Sequence, residues 1–172
     1  EASGRTRGGP AAQLLGLNKG EEVLELVIAG GEPLVLVTAN GVAKRLAADE
    51  VVGTKSGKTV VGLKGDDRLV SAFRAPEGTD VAIVATDGQI LRLHADSISI
   101  QGRGAGGVAG MKLKDGARVV GAGALLGDGA ALIVTDAQGL KATPYEELPT
   151  LKPTKTKAKK KNAKPDKKQH NS

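Results

Sequence analysis

Leu34-Val-Leu-Val-Thr-Ala-Asn-Gly-Val-Ala-Lys-Arg-Leu46 is the stretch whose reading decides the fold. Asn40-Gly41 between two runs of β-branched and aliphatic residues is a strong short-range hairpin signal. The chain writes the hairpin twice more. Val81-Ala-Ile-Val-Ala-Thr-Asp-Gly-Gln-Ile-Leu-Arg-Leu93 turns at Asp87-Gly88, and Ala131-Leu-Ile-Val-Thr-Asp-Ala-Gln-Gly-Leu-Lys-Ala-Thr143 turns at Gln138-Gly139. The turn glycines Gly41, Gly88 and Gly139 lie 47 and 51 residues apart. A second half-motif precedes each hairpin: Leu17-Asn-Lys-Gly-Glu-Glu-Val-Leu24, Leu63-Lys-Gly-Asp-Asp-Arg-Leu-Val70 and Leu113-Lys-Asp-Gly-Ala-Arg-Val-Val120. Its leading leucines are 46 and 50 residues apart, in step with the glycines. Self-similarity at this period is the mark of propellers, solenoids and arrays.

Each unit predicts about four short strands. Asn40-Gly41 and Asp87-Gly88 suit type I′ turns, which need positive φ at both central residues. After the Gly- and Asp-rich turn of the half-motif, strands are expected at Val23–Ile28, Leu69–Phe73 and Val119–Ala122. Fourth strands are expected through Gln13–Leu17, Thr59–Leu63 and Val108–Leu113. No segment keeps a helical period over ten or more residues. The class is all-β, a propeller-like fold of about three four-stranded repeats, near 4–51, 52–98 and 99–148 within a domain 1–149. Closed propellers typically need at least four blades, so the three repeats are expected to be part of a larger disc. The opening at Glu1, in the middle of a repeat, reads as the continuation of a longer polypeptide.

Composition narrows the chemistry. The 172 residues are 40% hydrophobic but only 1% aromatic (Phe73 and Tyr145), so the core must come from Val, Ile, Leu and Ala. The absence of cysteine excludes disulfides, thiolate metal sites and a cysteine nucleophile, and fits a reducing compartment. No apolar run approaches the roughly 20 residues a membrane-spanning helix needs, and no basic-then-apolar leader is visible. The net charge of +6 is unevenly placed: nine lysines and one acid follow Leu151, whereas residues 1–151 hold 16 basic and 18 acidic groups. Residues 150–172 form a lysine-rich, low-complexity tail, expected to be disordered and to act as a non-specific nucleic-acid arm. His94 and His170 are too isolated for a metal or acid–base role, and no nucleophile–base constellation is present.

Several motifs, in order and in spacing, resemble the C-terminal domain of the A subunit of bacterial type IIA topoisomerases, DNA gyrase and topoisomerase IV. They are Val37-Thr-x-x-Gly41-x-x-Lys44-Arg45, Gly102-Arg-Gly-Ala-Gly-Gly-Val-Ala-Gly-Met-Lys-Leu113, Gly65-Asp-Asp-Arg-Leu-Val70 and Gly4-Arg-Thr-Arg-Gly-Gly9, covering roughly 4–148. The gyrase-specific box Gln-Arg-Arg-Gly-Gly-Arg/Lys-Gly does not occur. The resemblance implies a β-pinwheel, a disc whose blades exchange strands and whose basic rim bends and wraps double-stranded DNA for the cleavage core. It further implies two protein partners, the topoisomerase B subunit together with the rest of the A subunit. The implied location is the bacterial cytoplasm and nucleoid. No cofactor belongs to this segment; ATP and Mg²⁺ would serve the other domains. Tyr145 is expected to be a packing residue, the DNA-cleaving tyrosine lying elsewhere in that family.

Wrapping needs cations spaced along a curved edge, with little reading of bases. Lys44 and Arg45, Arg92 and Lys141 stand in near-equivalent slots just after the hairpin turns. Arg5 and Arg7, Lys55 and Lys58, and Arg103 recur in the Gly-rich stretches between blades, with Lys112 close by. These ten are the candidate DNA contacts, with the acidic pairs Glu21-Glu22, Asp66-Asp67 and Glu146-Glu147 expected to face away. The competing reading is a propeller-like protein-interaction scaffold, favoured by the near-neutral body, whose lysine tail alone binds nucleic acid.

Overall fold

The computed structural model describes residues 7–28, 30–52 and 57–127, and the backbone of two further strands at 131–136 and 139–144. The elements in chain order are α1 (Ala11–Leu15), β1 (Leu34–Thr38), β2 (Val42–Leu46), β3 (Leu69–Arg74), β4 (Asp80–Ala85), β5 (Ile90–His94), β6 (Val108–Ala109), β7 (Val119–Leu125), β8 (Ala131–Asp136) and β9 (Gly139–Pro144). Single 3₁₀ turns follow β2 and β5, at Ala48–Glu50 and Ala95–Ser97. All three hairpins stand where the repeat puts them, and the described residues are all-β apart from these short turns and α1. The Gln138-Gly139 turn falls partly outside the described residues, as do Glu146-Glu147, Tyr145 and the lysine tail.

The sheets do not follow the repeat boundaries. The first has the order β3-β1-β2-β6, the second β5-β4-β7, and the third is the β8–β9 pair. Each of the first two hairpins thus takes a strand from the unit after it: β3 pairs antiparallel with β1, and β7 with β4. Both junctions shift register at the same place, at Val37/Thr38 and at Val84/Ala85. The reason lies in β1 and β4 themselves. Leu34–Thr38 and Asp80–Ala85 are buried at every position, so both faces and both edges need covering. Alternate residues of β1 feed two cores. Val35 and Val37 join Val81, Ile83, Leu93, Ile98, Met111 and Val119 between the sheets, whereas Leu34 and Leu36 join Leu46 and Val61 on the other face. Fully burying each such aliphatic side chain contributes about 1.5–3 kcal/mol. Between sheets, Val119 N–H donates to Ala39 O at 2.8 Å and Ala122 N–H to Ser71 Oγ at 3.0 Å.

Three expectations are corrected. The first two hairpin turns are not type I′: among the described residues only glycines have positive φ, so Asn40 and Asp87 do not. Instead, three-residue loops carry Gly41 at φ 81° and Gly88 at φ 78°, closed by Gly41 N–H to Thr38 O (3.1 Å) and Gly88 N–H to Ala85 O (3.0 Å). The expected strand at Gln13–Leu17 is replaced by α1, and neither Val23–Ile28 nor Thr59–Leu63 pairs with a strand among the described residues. Val108–Leu113 shortens to β6. A strand exists only where a neighbour takes up its N–H and C=O groups, and among the described residues only the first hairpin finds neighbours on both edges.

The Gly-rich stretch before β7 is shaped by close packing on β2. A Cβ at Gly110 would stand 2.7 Å from Ala43 Cβ, and one at Gly107 (φ +92°) would stand 2.7 Å from Ala43 O. Gly123 in β7 has nothing within 4 Å of its virtual Cβ. Gly110→Ala is therefore expected to lower stability by about 1–3 kcal/mol through overpacking, with Gly123→Ala neutral or slightly stabilising. Thermal melts of the two variants followed by circular dichroism check this.

Candidate nucleic-acid interface

Period 2 along β2 sends Lys44 and Arg45 to opposite faces, and neither reaches the rim where they were expected. Lys44 is 1% exposed. Its ammonium donates to three backbone carbonyls, Arg103 O at 2.6 Å, Val60 O at 2.8 Å and Ala105 O at 2.9 Å. Burial holds its pKa below the ordinary lysine value, with the Glu50 carboxylate pulling the other way. Lys44 is thus the polar plug that fixes two inter-blade segments, 60 and 103–105, onto β2. Burying an ammonium costs several kcal/mol, and three charge-assisted hydrogen bonds of about 1.5–3 kcal/mol each are of the size needed to offset it. Arg45 is 4% exposed and pairs through Nη1 with Asp96 Oδ1 at 3.0 Å. Its carbonyl accepts from Gln101 N–H at 3.0 Å.

Arg92 and Arg103 are held as well. Arg92 on β5 lies 3.4 Å from Asp80 Oδ2, and His94 Nδ1 contacts the other oxygen of the same carboxylate. Asp80 is 3% exposed, so the Arg92 guanidinium balances a buried charge at the start of β4. Arg103 pairs with Glu50 at 3.2 Å on the surface, where such a pair contributes at most about 1 kcal/mol. Arg7, Lys58 and Lys112 are exposed. Lys141 lies opposite Val134 in the β8–β9 ladder, its side chain outside the described residues, as are Arg5 and Lys55.

Two further pairs of cations recur in the half-motif before β3 and β7. Lys64 and Lys114 open equivalent turns, closed by Asp67 N–H to Lys64 O (3.1 Å) and Ala117 N–H to Lys114 O (3.0 Å). Arg68 and Arg118 end them, each giving its carbonyl at 2.8 Å to a hairpin-loop amide, that of Ala39 and that of Thr86. All four are exposed. The two turns are neighbours, because Arg118 Nη2 reaches Asp66 Oδ2 of the preceding turn at 3.0 Å. Asp66 and Asp67 therefore lie among these cations instead of facing away from them. Asp67 Oδ1 builds the turn by accepting from Asn40 and Arg68 N–H, both at 2.9 Å. Glu21 plays the matching part in the first unit: hydrogen bonds from the backbone and then the side chain of Asn18 hold its pKa low. Lys112 and Lys114, with Asp87 and Gln89, line an open cleft of about 290 Å³ beside β5. The signal for these residues was the half-motif itself, in which Lys64 and Lys114 follow the leading leucine. No group of three or more His, Asp or Glu able to hold a metal ion occurs among the described residues.

This repeated architecture has known counterparts. Residues 32–76 and 79–125 match the family model described as DNA gyrase C-terminal domain, beta-propeller, and the chain belongs to that family. It is 31% identical over 155 residues to the A subunit of DNA gyrase from Salmonella typhimurium, a match that takes in 87% of the chain and 18% of that protein. Among solved structures, it superimposes on a DNA gyrase A C-terminal domain with a TM-score of 0.74 at 24% identity, over 86% of the chain and 50% of the other. For the C-terminal domain of DNA topoisomerase IV the figures are 0.71 and 22%, over 84% and 47%. The chain thus spans under a fifth of the full-length relative and about half of the solved domains.

Lys44→Met should destabilise the fold by about 3–5 kcal/mol, because the carbonyls of Val60 and Arg103 lose this donor and that of Ala105 keeps only Gly62 N–H. Lys44→Arg should not rescue it, since a planar guanidinium cannot converge on the same three oxygens. Urea unfolding checks both; a loss below about 1 kcal/mol for Lys44→Met would remove the plug from the account.

Proposed function

We propose that the chain is a DNA-binding and DNA-bending segment of a type IIA topoisomerase A subunit, guiding duplex to the cleavage core of the enzyme. The observation that carries the reading, beside family membership, is the pair of turns at 64–68 and 114–118, which set exposed cations at the same place in successive repeats. Cations spaced by a repeat suit the regular phosphate backbone, which is bound without reading base sequence. Bending a duplex costs a few kcal/mol, which distributed phosphate contacts must offset. The chain's own chemistry ends at binding. Cleavage with Mg²⁺ and ATP hydrolysis would belong to the B subunit together with the rest of the A subunit, in the bacterial nucleoid. Lys64, Arg68, Lys112, Lys114 and Arg118 are the contacts favoured on the body, with Lys58, Arg103 and the lysine tail as auxiliaries.

A protein-binding scaffold is the second reading, supported by the 16 basic and 18 acidic groups of residues 1–151 and by the pairing of Arg45, Arg92 and Arg103 with carboxylates. Mobility shifts on duplex DNA across a salt series separate the two. With residues 150–172 removed, binding should persist, show no sequence preference and weaken steeply with salt. Lys64→Gln with Lys114→Gln should lower the log–log salt slope by about 1 per lost contact. Loss of all binding with the tail would favour the scaffold.

A further inference from the structure

We propose, on the DNA-binding reading above, that Asp66 is a carboxylate gate on Arg118. It holds the guanidinium in the free protein, yields it to a backbone phosphate of bound duplex, and so lowers affinity. Arg118 Nη2 and Asp66 Oδ2 stand 3.0 Å apart, a contact that joins the turn before β7 to the turn before β3. Both side chains are open to solvent, Arg118 48% and Asp66 78% exposed. The backbone of Arg118 is nevertheless fixed. Its N–H donates to Thr86 Oγ1 at 3.1 Å, and its carbonyl accepts from Thr86 N–H at 2.8 Å. A rigid anchor thus carries a side chain that can exchange one anion for another. Of the exposed cations Lys64, Arg68, Lys114 and Arg118, it is the one that pairs with a carboxylate side chain among the described residues.

The turn itself does not need this acid. Its neighbour Asp67 is the builder, accepting from Asn40 and Arg68 N–H at 2.9 Å, whereas the Asp66 carboxylate meets only Arg118 among the described residues. Lys64-Gly-Asp-Asp-Arg68 aligns with Lys114-Asp-Gly-Ala-Arg118, which sets Gly116 where the first turn has Asp66. Both turns close by the same bond, Asp67 N–H to Lys64 O and Ala117 N–H to Lys114 O. As a brace the ion pair is weak, because an exposed pair is screened by salt and adds little to stability. As a cover on a cation it counts for more. A guanidinium presents the same fork of donors to a carboxylate and to a phosphate. Duplex DNA, with one charge about every 1.7 Å of axis, releases counterions on contact, which a lone carboxylate cannot match. The phosphate therefore wins the exchange, but it must first displace Asp66 and then tolerate a negative charge beside it.

Titration of the 172-residue chain with a short mixed-sequence duplex, followed by the NMR shifts of the amides of 64–68 and 114–118, reads binding at the body separately from the tail. Asp66→Asn is expected to tighten that binding about three- to tenfold near 0.1 M salt, with an unchanged thermal melt. Beside Arg118→Gln the same change should gain less than about twofold, because the gate then has nothing to cover. Glu77→Gln removes an equal charge beyond the far end of β3, roughly 20 Å and about two Debye lengths away, and should also gain less than about twofold. Amides of both turns that stay still while the duplex binds would remove the DNA-binding reading, and the proposal with it. Amides that move while Asp66→Asn gains under about twofold, or gains as much beside Arg118→Gln, overturn the proposal alone.

Discussion

The fold depends on one constraint: the first strand of each of the first two hairpins is buried along its whole length and, among the described residues, finds the partner for its outer edge in the next repeat. Leu34–Thr38 and Asp80–Ala85 are buried at every position, and in each case the strand that completes them comes from the next unit. A repeat of this kind cannot fold alone. Its neighbours supply both the hydrogen-bonding edge and part of the apolar core, as in other quasi-one-dimensional proteins. The shared core around Val35, Val81, Ile83 and Met111 then makes the first two sheets one packed body.

The exchange also explains where charge goes. Carrying a strand back to the previous hairpin leaves connecting segments crossing β2 with inward-facing carbonyls, and Lys44 satisfies three of them. Arg45, Arg92 and Arg103 are drawn into pairs with Asp96, Asp80 and Glu50. The exposed cations at the turns before β3 and β7 are interleaved with Asp66 and Asp67. On the proposed function, such a surface would bind through many weak contacts, each screened within a Debye length of about 8–10 Å.

Much of the architecture is legible in the sequence, because the hairpins combine aliphatic runs with a fixed glycine and recur in step. The partner of a strand is not legible in that way. Leu69–Arg74 reads as a strand whichever hairpin it joins, and only the buried edges of β1 and β4 decide. Val23–Ile28 has the same pattern and forms no ladder among the described residues, since pairing is a property of two segments. The site was legible in part. Lys44-Arg45 reads as two rim cations until alternation along a strand is applied, which separates them, and the depth of the carbonyl pocket around Lys44 comes from residues 60 and 103–105, far off in sequence. Lys64 and Lys114 were visible in the half-motif but outweighed by the hairpin cations. The turn type was missed because an Asn-Gly or Asp-Gly pair serves a three-residue loop as well as a two-residue one.

Hydrogen exchange in the native state tests strand exchange most directly. Amides of Val35–Val37 and Ser71–Phe73 should share one opening free energy although they belong to different repeats, and Lys44→Met should speed both together. If Leu69–Arg74 instead opened with Asp80–His94 of its own repeat while Leu34–Leu46 stayed protected, the hairpins would be completing themselves and the account would be wrong.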